Sequence, residues 1–107
     1  MPFETYEVAL ELLRALRPLI EKIGRHSRKL KDQLIEAGTS VPMNVGEGRR
    51  RRGGDRLHSY RVAAGSADES ATILRSAEAL GWLTKDEIAP ALRLCDRELA
   101  MLWKQTQ

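Results

Sequence analysis

The sequence predicts an all-α protein, an antiparallel up-down-up-down four-helix bundle. Apolar residues recur every three or four positions in four separate segments, which is the period of one helix face. Short glycine-containing breaks separate these segments, and short connections favour antiparallel neighbours. Only 5% of the residues are aromatic, so the core must consist of Leu, Ile, Val and Ala, which suits helices better than sheets. With 107 residues, the chain is predicted to form one domain, 1–107, around one hydrophobic core.

The first helix is predicted from Thr5 to Ile23. Pro18 lies inside this segment and should kink the helix, because proline has no N–H to donate. Gly24 marks the end of the helix. The apolar face that defines the helix is formed by residues three or four positions apart, namely Phe3, Tyr6, Leu10, Leu13, Leu16, Ile20 and Ile23.

The second helix is predicted from Ser27 to Glu47 or Gly48. Pro42 interrupts it, so either one helix kinks at residues 40–41 or two shorter helices meet there. One kinked helix is preferred, because the apolar stripe keeps its phase across the proline. That stripe consists of Leu30, Leu34, Ala37, Val41 and Val45.

Residues 48–54 form the sharpest break in the sequence, with four arginines between three glycines. Helix is not expected to persist across the last two glycines. Asp55 can cap a third helix that runs from Arg56 to Leu80. The middle of this helix, residues 63–67, contains only small side chains, which would let a neighbouring helix approach closely.

The fourth helix follows a predicted turn at residues 81–83. Thr84 and Glu87 have the spacing of a capping box, in which each side chain binds the backbone of the other residue. Pro90 in the second turn is a mild conflict with a regular helix. The apolar stripe of this helix consists of Ile88, Leu92, Cys95, Leu99 and Leu102.

The up-down topology separates two groups of basic residues. The first and third turns lie at one end of such a bundle and the second turn at the other, about 30 Å away. We call the group at the second turn the arginine patch; its members are Arg49, Arg50, Arg51, Arg52, Arg56 and Arg61. A secondary basic patch at the opposite end comprises Arg25, Arg28, Lys29 and Lys31, next to His26.

The arginine patch is the strongest chemical feature of the sequence. It places six of the chain's 18 cations within 13 residues, although the net charge is only +3. Guanidinium groups bind phosphate oxygens bidentately, and clustered cations gain by releasing the counterions of a nucleic acid. The alternative is a solvated loop whose charge only keeps the protein soluble. Tyr60 is the one aromatic residue near the patch in sequence, so a platform for stacking bases is not predicted.

No catalytic constellation, metal site or cofactor is predicted, so the chain is not expected to be an enzyme. His26 and His58 stand at opposite ends of the bundle, which argues against a shared metal ion. Cys95 is the single cysteine, which excludes an internal disulfide. It is predicted to be a small residue of the core. Glu47 precedes the arginine run, where an exposed salt bridge is the simplest interpretation.

The expected location is the cytoplasm, with no membrane partner. No stretch approaches the roughly 20 apolar residues of a membrane span. The N-terminus carries Glu4, Glu7 and Glu11 where a signal peptide would need cations.

Self-association is a further expectation. The small residues of the third helix suggest more than one buried face, as do Val62, Ile73 and Met101, which lie outside a single apolar stripe. A slightly wider core stripe explains the same residues equally well.

Residues 39–50 read TSVPMNVGEGRR, which is similar to the pattern "S-[IV]-P-x-N-[IV]-A-E-G". That pattern is the signature of the bacterial four-helix-bundle family that includes the rRNA intervening-sequence proteins and the accessory variability determinants of diversity-generating retroelements, and three further stretches resemble the same family. Residues 3–12, 60–69 and 79–83 resemble its first helix, its third helix and its "L-G-Y" turn. Departures are Gly46 for the usual Ala, Ala67 for the usual Leu, and an arginine- and glycine-rich 51–54 in place of "R-x-S".

The resemblance implies an antiparallel four-helix bundle, a ring-shaped homopentamer and, in the retroelement branch, a nucleic-acid-binding basic surface and a reverse transcriptase partner. The family's basic positions correspond to Arg49, Arg50 and Arg61. The leading hypothesis is therefore a non-enzymatic, homo-oligomeric accessory protein that binds RNA or DNA through the arginine patch. The alternative is a protein–protein assembly module without intrinsic affinity for nucleic acid.

Overall fold

The computed structural model describes residues 2–107, and its elements are four helices with short connections. This confirms the predicted all-α class. The helices are α1 (Pro2–Gly24), α2 (Arg28–Arg50), α3 (Gly53–Ala79) and α4 (Lys85–Gln105).

Each helix packs on two neighbours, as the up-down-up-down topology requires. Helix α1 contacts α2 and α4, and α3 contacts the same two helices. The molecule is elongated, with extents of 42 × 23 × 18 Å. The start of α1, the α2–α3 junction and the end of α4 therefore lie at one end, which we call the arginine end, and the other two turns lie at the far end.

The core is mostly apolar, and α1 buries a different face from the one predicted. Leu16 and Ile23 are buried as expected, whereas Leu10, Leu13 and Ile20 are half-buried and Phe3 is exposed. Helix α1 carries two apolar stripes side by side, and the neighbouring stripe is the one that packs inward. Its buried residues are Thr5, Val8, Ala9, Leu12, Leu16, Leu19 and Ile23.

The three internal prolines do not divide the helices. Pro18, Pro42 and Pro90 all lie inside continuous helices. One helix through Pro42, rather than two, was the preferred prediction, and it is confirmed. In the turn before this proline, Thr39 Oγ1 donates to the Ile35 carbonyl oxygen at 2.7 Å.

The predicted break at residues 48–54 is much shorter than expected. Helix α2 continues to Arg50 and α3 begins at Gly53, so the prediction that helix stops across Gly53 and Gly54 was wrong. Gly53 starts α3 with φ +55°, a backbone conformation that residues other than glycine rarely adopt. Asp55 does not cap α3 either; Arg52 is the N-cap residue, and Asp55 lies in the first turn, where its charge complements the helix dipole.

The capping box predicted at the start of α4 is present, and Ser27, predicted only as the start of the second helix, caps α2. The Ser27 side chain accepts a hydrogen bond from the Leu30 N–H at 3.1 Å and begins α2. Thr84 and Glu87 form the reciprocal capping box at the start of α4. Gly81, with φ +80°, makes the turn between α3 and α4. These contacts fix where the helices begin and therefore which residues reach each end.

The small residues of α3 bring it close to α2, as predicted. Ser66 Oγ donates to Ser40 Oγ at 2.8 Å between the two helices. Asn44 Nδ2 donates to the same Ser40 hydroxyl oxygen at 2.9 Å. The close approach fixes α2, and with it the arginine run, against α3. Across residues 2–107, no helix combines the length and the apolar character that crossing a membrane requires.

Candidate nucleic-acid interface

The arginine run belongs to helix ends rather than to a loop. Arg49 and Arg50 form the last turn of α2, Arg51 is its C-cap residue and Arg52 is the N-cap residue of α3. All four side chains are exposed. Because the helices on both sides are fixed by packing, the four guanidinium groups are displayed from a short, ordered junction.

Glu47 neutralises part of this charge. Its carboxylate accepts from Arg50 Nη2 at 3.1 Å and from Arg51 Nε at 2.8 Å. The hydrogen bond from Arg51 is the main cause that lowers the pKa of Glu47 below its ordinary value, so the carboxylate is ionised at neutral pH. The simple salt bridge expected for Glu47 is thus confirmed, with two arginines instead of one.

Arg56 has a structural role at the junction. Its Nε donates to the Gly48 carbonyl oxygen at 3.0 Å and its Nη2 to the Arg49 carbonyl oxygen at 3.3 Å. These carbonyl groups belong to the last turn of α2, where a helix has no internal donors left. Arg56 therefore ties the end of α2 to the start of α3, and Arg61 is exposed further along α3.

The start of α3 adds a second feature that suits an anion. No side chain caps this helix, and Gly53 and Gly54 are exposed. The leading N–H groups of a helix lack intrahelical acceptors and carry partial positive charge. A phosphate at this turn would meet backbone N–H groups and the neighbouring guanidinium of Arg52 together.

Aromatic rings lie beside the patch, contrary to the prediction. Tyr60 is buried, with 1% of its surface exposed, and packs inside the bundle. The rings come instead from α1: the Arg49 guanidinium carbon lies 5.7 Å from the ring centroid of Phe3 and 5.7 Å from that of Tyr6. Phe3 is 61% exposed, so much of its side chain is open to solvent.

Trp103 and Lys104 also reach the arginine end, at the last turn of α4, and both are exposed. Sequence reasoning considered only residues near the arginines in the chain and therefore missed these two and the rings of α1. The predicted topology could have indicated these residues, because it places the start of the first helix and the end of the fourth helix beside the second turn.

The secondary basic patch is at the far end, as predicted. Arg25, Arg28 and Lys29 are exposed, whereas the stem of Lys31 packs over Gly24. His26 stacks on Trp82 with ring centroids 5.1 Å apart and planes 4° from parallel. The Lys22–Glu87 ion pair links α1 to α4 nearby. This end is basic but lacks a run of consecutive arginines.

Candidate catalytic groups do not converge in the described part of the chain. No three His, Cys, Asp or Glu residues among positions 2–107 are grouped so that they could hold a metal ion. Cys95 is fully buried, as predicted, and burial, followed by the nearby Asp96 charge, raises the pKa of its thiol to about 12. A thiol of this kind is a poor nucleophile at neutral pH.

Comparisons with known proteins agree with this architecture. The family model described as 23S rRNA-intervening sequence protein matches residues 2–104. Among solved structures, the chain is similar to a protein of unknown function from the S23 ribosomal protein family of Bacteroides thetaiotaomicron. The two are 15% identical, with a TM-score of 0.88 over 96% of this chain and 98% of that chain, a likeness that concerns the fold alone. No curated protein sequence matches. The chain belongs to the 23S rRNA-intervening sequence protein family.

Proposed function

We propose that this protein is a non-enzymatic, homo-oligomeric accessory factor of the cytoplasm that binds nucleic acid through the arginine patch. The observation that supports this most is the display of four consecutive exposed arginines, Arg49–Arg52, on an ordered helix junction. The name of the family refers to an intervening sequence of 23S rRNA, which favours RNA over DNA as the ligand.

The patch has two properties that suit a phosphate backbone. Guanidinium forks match phosphate oxygens, and Arg49, Arg52 and Arg61 make no ion pair within residues 2–107. The uncapped start of α3 supplies N–H groups at the same place. None of these groups reads base edges, so the expected binding is sensitive to salt and tolerant of sequence.

Assembly is part of the proposal, and an apolar groove on the outside of α1 supports it. Leu10, Leu13 and Ile20, the half-buried stripe of α1, line a groove of about 410 Å³ together with Arg14, Arg17 and, from α2, Thr39. A second copy is the occupant that would cover such a surface. The resemblance to the family implies a pentamer, in which a ring would repeat the arginine patch five times.

One further partner and one alternative function remain to be tested. The retroelement branch implies a reverse transcriptase, and copurification of the two proteins tests that partner. The assembly module without intrinsic nucleic-acid affinity remains the second candidate function. It is favoured by the groove and by Glu47, which already neutralises part of the patch.

Removing the arginine patch is expected to lower both the affinity for nucleic acid and its dependence on salt. The variant replaces Arg49, Arg50, Arg51 and Arg52 with Gln, which keeps the side-chain stems and removes four charges. Binding to a structured RNA and to a DNA duplex is measured by fluorescence anisotropy from 50 to 200 mM salt. Each lost phosphate contact reduces the slope of log K against log salt by about 0.7–0.9. We expect at least about a tenfold loss of affinity at the low-salt end.

The matched control replaces Arg25, Arg28, Lys29 and Lys31 with Gln. It removes the same net charge from the far end, so an equal loss in both variants would mean that only net charge matters. Circular dichroism and sedimentation check that helicity and mass are unchanged, and the mass itself reports whether the 12.1 kDa chain assembles. If the wild type binds neither ligand at 50 mM salt, the assembly module becomes the better interpretation.

Glu47→Gln is expected to strengthen binding, by about two- to fivefold at low salt. The change frees Arg50 and Arg51 from a carboxylate that a phosphate must otherwise displace. Glu36→Gln, an exposed change on the same helix, removes an equal charge away from the patch and is the control. Anisotropy titrations of both variants check this; equal gains would contradict a local role for Glu47.

A further inference from the structure

A cleft opens between α1 and α2 directly beside the exposed arginines. Its volume of about 610 Å³ lies in the range of sites that hold small ligands. The lining combines an aromatic ring, an exposed thioether side chain, a glycine without a side chain, a carboxylate and two guanidinium groups. These belong to Tyr6, Met43, Gly46, Glu47, Arg49 and Arg50.

Tyr6 and Arg49 supply flat groups on the wall of this cleft, and Phe3 lies beside Arg49, next to the lining residues. The Arg49 guanidinium lies 5.7 Å from the ring centroids of both Phe3 and Tyr6. Phe3 is 61% exposed and Met43 is 69% exposed, so both present apolar surface to water. Aromatic faces and guanidinium planes are the two surfaces on which proteins stack unpaired bases.

We propose that this cleft holds one unpaired nucleobase, stacked against Phe3, Tyr6 or the Arg49 guanidinium, while neighbouring arginines hold the flanking phosphates. The inference rests on the proposed nucleic-acid function and names its substrate class: single-stranded segments rather than duplex. In a duplex, both faces of each base are already covered by neighbouring base pairs, so the cleft would remain empty.

The polar groups of the cleft fit the edge of a base. Glu47 has two carboxylate oxygens on the wall, each with further acceptor capacity beyond its hydrogen bond to an arginine. They can accept hydrogen bonds from N–H groups of the base. Because a cation–π contact at an exposed site is weak, a base can replace the Arg49 guanidinium on either ring.

The test compares ligands of equal charge that differ in their bases. The probes are a labelled 12-nucleotide single-stranded RNA, the same strand with abasic sites throughout, a DNA strand of the same sequence, and an RNA duplex. Anisotropy gives each affinity for the intact protein. A 2-aminopurine in the single strand reports stacking directly, because its fluorescence falls when it stacks.

Two variants separate stacking from charge. Phe3→Ala removes a ring that is mostly exposed, and Arg49→Lys keeps the charge but removes the guanidinium plane. Phe3→Ala is expected to weaken binding of the base-carrying strand about tenfold, the scale of one stacked base, without changing the salt slope or the binding of the abasic strand. Because Arg49→Lys also removes a guanidinium that can bind phosphate, it is expected to weaken binding of the base-carrying strand more than that of the abasic strand. Leu80→Ala, an exposed apolar truncation at the far end, is the control and should bind like the wild type.

The outcomes separate this inference from the proposed function. Tighter binding of the base-carrying strand, quenched 2-aminopurine and sensitivity to both variants would support the cleft as a base site; the DNA strand shows whether the 2′-hydroxyl contributes. Equal binding of base-carrying and abasic strands would overturn the base site and leave phosphate binding intact. Failure of every probe to bind at low salt would overturn both.

Discussion

Glu98→Met is expected to stabilise the protein above pH 7, with a gain that grows as the pH rises. Glu98 has no exposed surface, and neither carboxylate oxygen has a hydrogen-bond partner within the described residues 2–107. It lies on α4 between Cys95 of the main apolar cluster and Leu102 of the second cluster. Burial raises the pKa of Glu98 to about 8, and the nearby Arg97 opposes this only partly.

The sign of the pH effect follows from this raised pKa. Below about pH 4.5 the carboxyl group is protonated in both the folded and the unfolded chain, and its ionisation costs nothing. Between pH 4.5 and 8 the unfolded chain loses the proton and the folded chain keeps it, so the free energy of unfolding falls as pH rises. Each pH unit in this window removes up to about 1.4 kcal/mol.

The measurement is urea denaturation at pH 5 and at pH 8, at one fixed protein concentration because assembly would add to stability. The difference in unfolding free energy between Glu98→Met and the wild type is expected to grow by about 3 kcal/mol between these pH values. Glu69→Gln, an exposed change on α3, should give no such growth. A difference that is the same at both pH values would mean that Glu98 has a partner in the assembled protein.

The helices themselves were predictable because local signals agree with the topology. The capping box at Thr84, the N-cap at Ser27 and the turn at Gly81 each specify a boundary through contacts within a few residues. The failures at residues 53–55 have the opposite cause. Two glycines weaken a helix, but the hydrogen bond from Arg56 and the packing of Tyr60 against Gly48 stabilise the junction. A prediction from neighbouring residues alone does not include these contacts.

The buried faces of α1 and α4 were less predictable, because α1 carries two apolar stripes and because polar residues occupy core positions on both helices. Thr5 and Glu98 are both fully buried, and a search for apolar residues passes over them. On α4 the inward stripe is Ile88, Ala91, Cys95, Glu98 and Leu102, three or four residues apart, and Leu99 beside it is only half-buried. The predicted spacing of three or four residues was correct. Because the stripe was selected by the hydrophobicity of single residues, however, it was the one next to the stripe that is buried.

The arginines of the candidate site could be read directly from the sequence, whereas their individual roles could not. Four consecutive arginines are visible in the sequence itself and indicate a basic surface. Three of these roles depend on how three helices meet. Arg56 binds backbone carbonyl groups, Glu47 pairs with two arginines, and Phe3 lies beside Arg49. Contacts between distant parts of the chain are the information that one unaligned sequence does not carry.

Gly48→Ala is expected to destabilise the protein by about 2 kcal/mol, although the same change usually favours a helix. Gly48 is buried in α2, and a Cβ atom there would lie 2.4 Å from Cε1 and 2.7 Å from Cδ1 of Tyr60. Tyr60 is 1% exposed and is packed with Val45, Ala63 and Leu102, so its rigid ring has little space to move. The glycine of the "E-G" motif is thus required by the ring behind it.

Thermal unfolding followed by circular dichroism checks this prediction, with a melting temperature lower by about 8 °C or more. Gly65→Ala on α3 is the matched control. A Cβ atom at Gly65 meets nothing within 4 Å, so that variant should be as stable as the wild type or more stable, by up to about 1 kcal/mol. If Gly48→Ala matched Gly65→Ala, the Tyr60 ring would have moved aside without cost. The clash would then not explain why glycine ends the motif, and the arginine end would be more adaptable than its packing indicates.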